Sequence, residues 1–363
     1  MLEEDTGVAQ TVPVPAAGRR EQKPAWVAAM KRFERPDPRK VAIQLLDTLP
    51  PYLGLVVLMY LTMTWHLPYI VTLLIALPAG AFLMRLFIIF HDCGHGSYVA
   101  SDLGQKIIGN VLGVMTFTAF ADWRRSHGIH HSSAGNLDRR GVGDIWTMTM
   151  EEYAASPPFR RLCYRLFRNP FVMFGLGPFF SFLIVHRWPT RGSNRGQFLS
   201  VMLTNLAIAS IAATCALTIG IKDYLLIQLP VLLIGGAGGV WLFYIQHQFD
   251  PSYWARTEEW ESMEAAMRGS SFYKLPRVLQ WISGNIGFHH VHHLRPRIPN
   301  YNLQRCLNEI PELQLPDPLR LWPSLLSVRL KAWDEKEKIL LTLRQMKEQL
   351  RMRRAQPPGP GIC

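Results

Sequence analysis

Nine of the twelve histidines in this chain lie in three short clusters whose spacing suits metal binding. The clusters read HDCGH, HGIHH and HHVHH and occupy residues 91–95, 127–131 and 289–293. A separation of three or four residues places two side chains on the same side of a helix. Imidazole is a common nitrogen ligand for iron, zinc and copper. Because eight or nine histidines are too many for one ion, the clusters predict a centre of two metal ions.

The third cluster carries most of this argument. Taken alone, the first pair or the second cluster could be ordinary histidines at a membrane boundary. The third cluster, however, repeats the H-x2-HH spacing of the second with His289, His292 and His293. The ring of His290 should point away from these three, so we expect a supporting or surface role for it.

The types of donor favour iron over other metals. Structural zinc sites usually contain cysteine, and none of the five cysteines has a zinc-site spacing. A haem would need only one or two axial histidines. Two ions with about four imidazoles each, and with open positions, match iron that binds O2. Carboxylates beside the clusters are expected to orient the rings, and the candidates are Asp92, Asp138 and Asp144. Each of the three could equally be a loop residue that caps a turn.

Long uncharged segments predict the elements that position these clusters. Residues 48–84, 196–221 and 224–249 contain no Asp, Glu, Lys or Arg. About 20 apolar residues suffice to cross ~30 Å of hydrocarbon. The first segment is long enough for two crossings with a turn at residues 66–68, and the other two give one crossing each. We therefore predict an all-α integral membrane protein with about four transmembrane helices, interfacial helices and a cytoplasmic helical cap that carries the clusters.

Two shorter apolar segments, residues 107–121 and 169–185, are predicted to lie in the membrane interface. If the three clusters share one site, they must lie on the same side of the membrane. The chain then crosses an even number of times between any two clusters. A crossing by either short segment would break this rule.

The distribution of basic residues predicts the orientation. The turns at residues 66–68 and 222–223 are short and nearly uncharged, and the opposite side carries many arginines: Arg124, Arg125, Arg139, Arg140, Arg160, Arg161, Arg187, Arg191 and Arg195. Basic residues stay in the cytoplasm, so we expect the histidines and both termini there. The net charge of +12 favours anionic lipids and acidic partners. No nucleic-acid-binding motif accompanies it.

The ends of the chain differ in composition from the middle. Residues 1–40 are polar and rich in proline, lack the apolar core of a signal peptide, and are predicted to form a mobile arm. Residues 41–310 form the membrane domain with the histidine clusters. Residues 311–363 are predicted to contain an amphipathic helix within 330–354, with Ile339, Leu343, Met346 and Leu350 on one face, and a disordered tail. The cysteines contain no CxxC pair, which fits a reducing compartment.

Together these segments resemble the membrane fatty acid desaturases. The resemblance rests on HDCGHGS, WRRSHGIHH with the following GNLDRRGVGDIWTMTMEEY, and IGFHHVHHLRPRIPNYNL, in this order between about residues 45 and 310. The acyl-lipid branch of the omega-6 or delta-12 kind, found in bacteria and plastids, is the most similar. The first cluster has three residues between its histidines, whereas acyl-CoA desaturases usually have four. This difference favours a substrate bound to a lipid or a carrier.

The resemblance also implies a set of ligands. The histidines of the three clusters other than His290 match the family's iron ligands, and His247 at the end of the last apolar segment matches a further one. The implied set is His91, His95, His127, His130, His131, His247, His289, His292 and His293. Phe243 stands where the acyl-CoA relatives have an asparagine that holds a water molecule.

The implied reaction is an O2-dependent desaturation at two iron ions. Two hydrogens leave adjacent methylenes of a membrane-lipid acyl chain, and a cis double bond and water form. The chain lacks an HPGG haem motif, a cysteine cluster and a nucleotide-binding GxGxxG, so electrons must come from a ferredoxin or cytochrome b5 type of donor. The alternatives are a fatty acid, carotenoid or alkane hydroxylase or ketolase of the same superfamily, and a metal-binding membrane protein or transporter without oxidase activity. The expected location is a bacterial inner membrane.

Overall fold

Four helices are long and apolar enough to cross a membrane within the part of the chain that the computed structural model describes, residues 24–355, with side chains to residue 353. They are Pro38–Thr64, Tyr69–His95, Arg195–Thr218 and Ile221–His247, here named spans 1 to 4. Each contains one of the uncharged segments or a half of one. The prediction of a mainly helical membrane protein with four spans is therefore confirmed.

Local sequence explains where the spans begin and end. Span 1 consists of the helices Pro38–Leu46 and Leu49–Thr64, and Asp37 caps the first by accepting a hydrogen bond from the backbone N of Arg39 (2.9 Å). Asn194 caps span 3 through a capping box with Gln197. Gly220 separates spans 3 and 4 at a φ of +90°, a conformation that only glycine adopts easily.

Spans 2 and 4 pack closely because glycines remove side chains from their contact. A Cβ added to Gly235 would lie 2.8 Å from the carbonyl oxygen of Gly80, and a Cβ added to Gly80 would lie 2.6 Å from the Cγ2 of Ile234. Helices in lipid associate through such close backbone approach. This contact holds the ends of spans 2 and 4, with His95 and His247, next to each other.

We expect Gly235→Ala to destabilise the protein by about 1–3 kcal/mol, because the new methyl group has no room between the two spans. Gly239→Ala, on the same helix, is the matched control, since a Cβ added to Gly239 would have no neighbouring atom within 4 Å. The measurement is the midpoint of thermal unfolding in detergent. Equal midpoints for the two variants would contradict the close packing.

The helix Asp102–Met115, which follows the first histidine cluster, has the pattern of an interfacial helix. Leu103, Ile107 and Val111 recur every four residues and are exposed, whereas Gln105 and Leu112 on the other face are buried. An exposed apolar stripe of this kind suits the boundary between headgroups and acyl chains.

The second short apolar segment is bent. Helix Pro158–Phe167 and the helical stretch Phe171–Arg187, which contains the α-helix Gly177–Leu183, meet at 62°. The pair is long enough to count as a fifth span if it crosses the membrane. Spans 3 and 4 already make two crossings between the second cluster and His247. His131 and His247 belong to different histidine groups, but both rings pack against that of His293, with ring centroids 4.1 and 4.9 Å apart. With both groups on one side of the membrane, the bent pair enters and leaves the membrane on the same side.

The remaining helices and strands form a cap on the side of the membrane where spans 2 and 4 end. The cap includes Phe120–Ser133, Met150–Ala155, Ser262–Met267, Arg277–Ile282, His289–Leu294, Asn300–Glu309 and Leu321–Ser324. Short strands also occur there. Met148–Thr149 pairs parallel with Leu330–Asp334, which pairs antiparallel with Ile339–Thr342. A second pair, Tyr273–Lys274 and Leu319–Arg320, is parallel.

Part of the expected N-terminal arm is packed on this cap. Residues 25–33 form the helix Ala25–Ala29 and the 3-10 turn Met30–Phe33. Met30 and Phe33 are buried in the same apolar cluster as Leu303 and Leu307. Three apolar residues at intervals of three, starting at Val27, gave a helical signal that the surrounding prolines and charges obscured. Residues 1–23, also assigned to the arm, lie outside the described residues.

The C-terminal segment differs from the expected helix over 330–354. Residues 330–342 form the hairpin of Leu330–Asp334 and Ile339–Thr342, and the helix begins at Leu343 and continues to Ala355. The four residues expected on the apolar face do pack together in the structure. Met346 is fully buried, and Ile339, Leu343 and Leu350 pack against the same cluster. The residues after 355, expected to form a tail, lie outside the described part.

Candidate metal centre

The nine histidines of the expected ligand set come from two spans and two cap helices, which meet where the spans join the cap. His91 and His95 lie in the last turns of span 2, and His247 is the last residue of span 4. The other six come from the helices Phe120–Ser133 and His289–Leu294. Ends of separate helices can bring many side chains to one point without interrupting the backbone hydrogen bonds of any helix.

The histidines form two groups. Within each group, one ring nitrogen per residue lies within 4.8 Å of the corresponding nitrogens of all other members. The first group contains His91, His95, His127, His131 and His292, and the second contains His130, His247, His289 and His293. Neither group includes a cysteine or a carboxylate among the described residues. The adjacent histidines 130 and 131 belong to different groups, as do 292 and 293.

The distances between ring nitrogens fit coordination to a shared ion. Nε2 of His247 lies 3.1 Å from Nε2 of His130 and 3.1 Å from Nε2 of His289. Nε2 of His131 lies 3.1 Å from Nε2 of His127 and 3.1 Å from Nε2 of His292. Two nitrogens bound to one ion at ~2.0–2.1 Å with angles near 90–110° lie roughly 2.9–3.4 Å apart.

The protonation of the rings makes the fit more specific. Nδ1 of His130 faces a carboxylate oxygen of Asp144 (2.7 Å), and Nδ1 of His247 faces the carbonyl oxygen of Gly269 (2.9 Å). Both oxygens accept hydrogen bonds, so both Nδ1 atoms donate. In a neutral ring, Nε2 then carries a lone pair. The lone pairs of His130 and His247 face each other at 3.1 Å, and a bound cation is the partner that satisfies both.

Burial keeps five further rings neutral and available to a metal. Burial, followed by the neighbouring imidazoles, holds the pKa of these five histidines of the cap well below the ordinary value: His127, His131, His289, His292 and His293. Nε2 of His95 and Nε2 of His293 are buried and have no hydrogen-bond partner among the described residues. Unpaired buried nitrogens are costly unless something occupies the space beside them.

Two of the three carboxylates suggested by the sequence orient histidines. Asp144 accepts from Nδ1 of His130, and Oδ1 of Asp92 lies 3.1 Å from Nδ1 of His91. Asp138 has the alternative role, that of a loop residue. Its carboxylate accepts from Arg256 (2.7 Å) and from the backbone N of Thr257 (2.9 Å), and so it joins two loops of the cap.

His290 and Phe243 lie beside the histidine groups. Nε2 of His290 donates to the carbonyl oxygen of Leu313 (2.9 Å), and burial lowers the pKa of His290 to about 4. The ring is fully buried, so it supports the cap and is not a surface residue. The ring of Phe243 packs 5.2 Å from that of His130 and 6.0 Å from that of His247, and so covers the second group with an apolar wall.

Asn300 is a residue of the site that the sequence did not single out. Its backbone N (2.6 Å) and its Nδ2 (2.8 Å) both donate to Oδ2 of Asp92. Asp92 is thereby held in position beside His91. The only signal was the position of Asn300 inside the motif IPNYNL, seven residues after the last histidine.

Comparison with known proteins decides the family. The fatty acid desaturase family model matches residues 64–324, a region that contains all nine histidines. The chain belongs to the fatty acid desaturase family.

Several relatives of this desaturase cover most of its length. A fatty acid desaturase of Bacillus subtilis is 44% identical over 331 residues, which are 91% of this chain and 93% of the relative. An sn-1 oleoyl-lipid 12-desaturase of Synechocystis is 27% identical over 270 residues, 72% of each chain. A chloroplastic omega-6 fatty acid desaturase of Arabidopsis thaliana is 25% identical over 250 residues, 64% of this chain and 52% of the relative. The resemblance seen in the sequence motifs is confirmed.

Proposed function

We propose that this desaturase introduces a cis double bond into an acyl chain of a membrane lipid, using O2 and a centre of two iron ions. The observation that carries the proposal is the pair of all-histidine groups, in which ring nitrogens of adjacent helix ends face one another at 3.1 Å. All-histidine groups suit transition metals, and membership of the family supports iron among them.

In this proposal, the first ion is held by the first group and the second ion by the second group, so all nine histidines are ligands. Iron bound there supplies O2-dependent oxidation. One –CH2–CH2– unit, one O2, two electrons and two protons give one cis –CH=CH– unit and two water molecules.

The protein's own contribution is positioning and exclusion of water. Unactivated methylenes offer no polar group to bind, so the acyl chain must be placed by the shape of an apolar path. Phe243 and Trp123 supply apolar surface at the centre, and Trp123 stacks on His127 at 4.4 Å. Asp92, Asp144 and the carbonyl of Gly269 fix ring orientations through Nδ1 atoms and leave the Nε2 atoms free to bind metal.

We infer the acyl-lipid substrate and the position of the double bond from relatives. The printed name of the Synechocystis relative specifies an oleoyl lipid and carbon 12, and the Arabidopsis relative is an omega-6 desaturase. We therefore propose a delta-12 or omega-6 reaction on a lipid-bound chain.

The electrons must reach the centre from a separate protein, for which we propose a ferredoxin or cytochrome b5. Arg124 and Arg139 are exposed on the cap and suit an acidic donor. We also propose that the centre faces the cytoplasm beneath the inner membrane of a bacterial cell, and the basic residues on this side of the membrane support that orientation.

The test is expression in a host whose saturated and monounsaturated lipids are known. We expect new cis double bonds in lipid acyl chains, located by gas chromatography with mass spectrometry after derivatisation. If the only products are hydroxylated acyl chains, the enzyme is a hydroxylase and the proposed desaturation is refuted. A double bond at another carbon would overturn the delta-12 position while leaving the reaction intact.

A further inference from the structure

A cavity of about 320 Å³ lies where span 1 and span 2 meet the cap, on the side of the membrane that holds the histidines. Its lining includes Lys40 and Gln44 from the start of span 1, Arg85 from span 2, and Arg277 and Trp281 from the helix Arg277–Ile282. None of these residues has a place in the proposed metal centre.

The lining of this cavity is positively charged. It contains three basic side chains and one carboxylate, Asp47, which gives a formal charge of +2. Asp47 is already engaged, because its carboxylate accepts from Arg85 (3.3 Å), which is itself only 3% exposed. Lys40 donates to the neutral amide oxygen of Asn302 (2.8 Å), and no ion pair within residues 24–353 includes Lys40 or Arg277. Within the described residues, the charges of Lys40 and Arg277 are therefore not neutralised by a carboxylate.

The surroundings of the cavity are apolar and exposed. Ile43 and Leu46 on span 1 and Val278 beside Arg277 are each more than half exposed. Trp281, whose ring lies 4.0 Å beneath the guanidinium of Arg85, is also exposed. Tryptophan and basic side chains together are typical of the level of lipid headgroups. A ligand with an anionic head and apolar tails fits both features, whereas a free anion would use only the charge.

The inner wall of the cavity reaches the histidines through hydrogen bonds. Nε2 of Gln44 donates to Oδ1 of Asn300 (2.7 Å), and Nδ2 of Asn300 donates back to Oε1 of Gln44 (3.3 Å). Asn300 also donates twice to Asp92, which contacts His91. A group bound in the cavity is therefore separated from a proposed metal ligand by two side chains, those of Asn300 and Asp92.

We propose that this cavity binds the phosphate headgroup of an anionic glycerophospholipid, with Lys40 and Arg277 as the charged contacts. On the basis of the proposed function, this lipid is the substrate, whose headgroup stays at the interface while its acyl chain extends toward the histidines. The enzyme then acts preferentially on anionic membrane lipids.

The test compares the variant Lys40→Gln/Arg277→Gln with wild type in nanodiscs of equal parts phosphatidylglycerol and phosphatidylcholine. Co-isolated lipids are counted by native mass spectrometry. We expect an about tenfold loss of the preference for phosphatidylglycerol, since each basic side chain near an anionic surface changes affinity several-fold. The matched control is Arg39→Gln/Lys274→Gln, which removes two exposed charges from the same two regions outside the lining. An equal loss of the preference for phosphatidylglycerol in the control variant would overturn the proposal, because diffuse surface charge and not this cavity would then select the lipid.

Two further measurements on wild type and variant complete the test. Excess inorganic phosphate should leave phosphatidylglycerol bound, and its displacement would show a site for free phosphate instead. In active protein, the share of new double bonds that is found in phosphatidylglycerol should be lower for the variant than for wild type. An unchanged share, with binding lost, would overturn the substrate role. The lipid count does not depend on turnover, so failure of the proposed reaction would leave it readable.

Discussion

Replacement of His247 by alanine is expected to lower bound iron from about two ions to about one per chain and to reduce desaturation to background. His247 is the centre of the second group, because its Nε2 lies 3.1 Å from both His130 and His289. Loss of this ligand leaves three histidines for the second ion and removes the ring that faces two of them, so we expect that ion to be lost on purification. The measurements are metal analysis of the purified protein and lipid product analysis.

The matched control for this variant is His290→Gln. His290 is also buried (0% exposed, against 7% for His247) and lies in the helix that carries three of the ligands, but it belongs to neither group and contacts the carbonyl of Leu313. We expect this variant to keep both ions. His130→Ala, in the same group of four, should behave like His247→Ala. His292→Ala leaves four histidines in the first group, and we expect it to abolish activity because it removes a ring whose Nε2 lies 3.1 Å from that of His131. Retention of two ions and activity by His247→Ala would refute its place among the ligands.

Replacement of Asp144 by alanine is expected to reduce iron affinity or activity by about 10–100-fold without removing any ligand. The carboxylate of Asp144 accepts from Nδ1 of His130 at 2.7 Å and is itself buried beside the ring. Without it, the ring can rotate or change tautomer, and Nε2 no longer presents a lone pair to the ion. Iron titration of the metal-free protein measures the effect directly.

Asp138→Ala separates this role from a general effect of losing a carboxylate in the same loop. Asp138 contacts Arg256 and Thr257 and no histidine. Its loss should weaken the cap and leave iron affinity within about twofold of wild type, since it does not orient a ligand. An equal loss of iron affinity in the two variants would indicate that Asp144 acts only through the stability of the loop.

The sequence predicted the four spans correctly, and the structure brings the nine expected histidines together, because spans and histidine clusters both depend on local signals. Charge-free segments of sufficient length leave few alternatives to a transmembrane helix. The histidine spacings follow from helix geometry, which is equally local. His247 is different, because an isolated histidine at a span end carries no spacing signal. Its place in the expected set came from the family resemblance alone.

The sequence could not predict contacts that depend on distant parts of the chain. Asp138 and Asp144 lie six residues apart in one loop, and nothing local distinguishes the one that reaches a histidine from the one that reaches Arg256. Similarly, the strand Leu330–Asp334 is fixed by pairing with Met148–Thr149, more than 180 residues earlier. Tertiary pairing of this kind outweighs the local helical pattern.

The alternation of neighbouring histidines between the groups has a consequence for how the protein acquires metal. His130 and His131 are consecutive, and so are His292 and His293, yet each pair serves both groups. An ion that fills one group therefore fixes two short helices, and the same helices carry ligands of the other group. The conformational entropy of these two helices is therefore lost when the first ion binds, and the second ion does not have to order them again. Because such coupling is reciprocal, loading is expected to be cooperative, with half-filled protein a minor species whichever ion binds first.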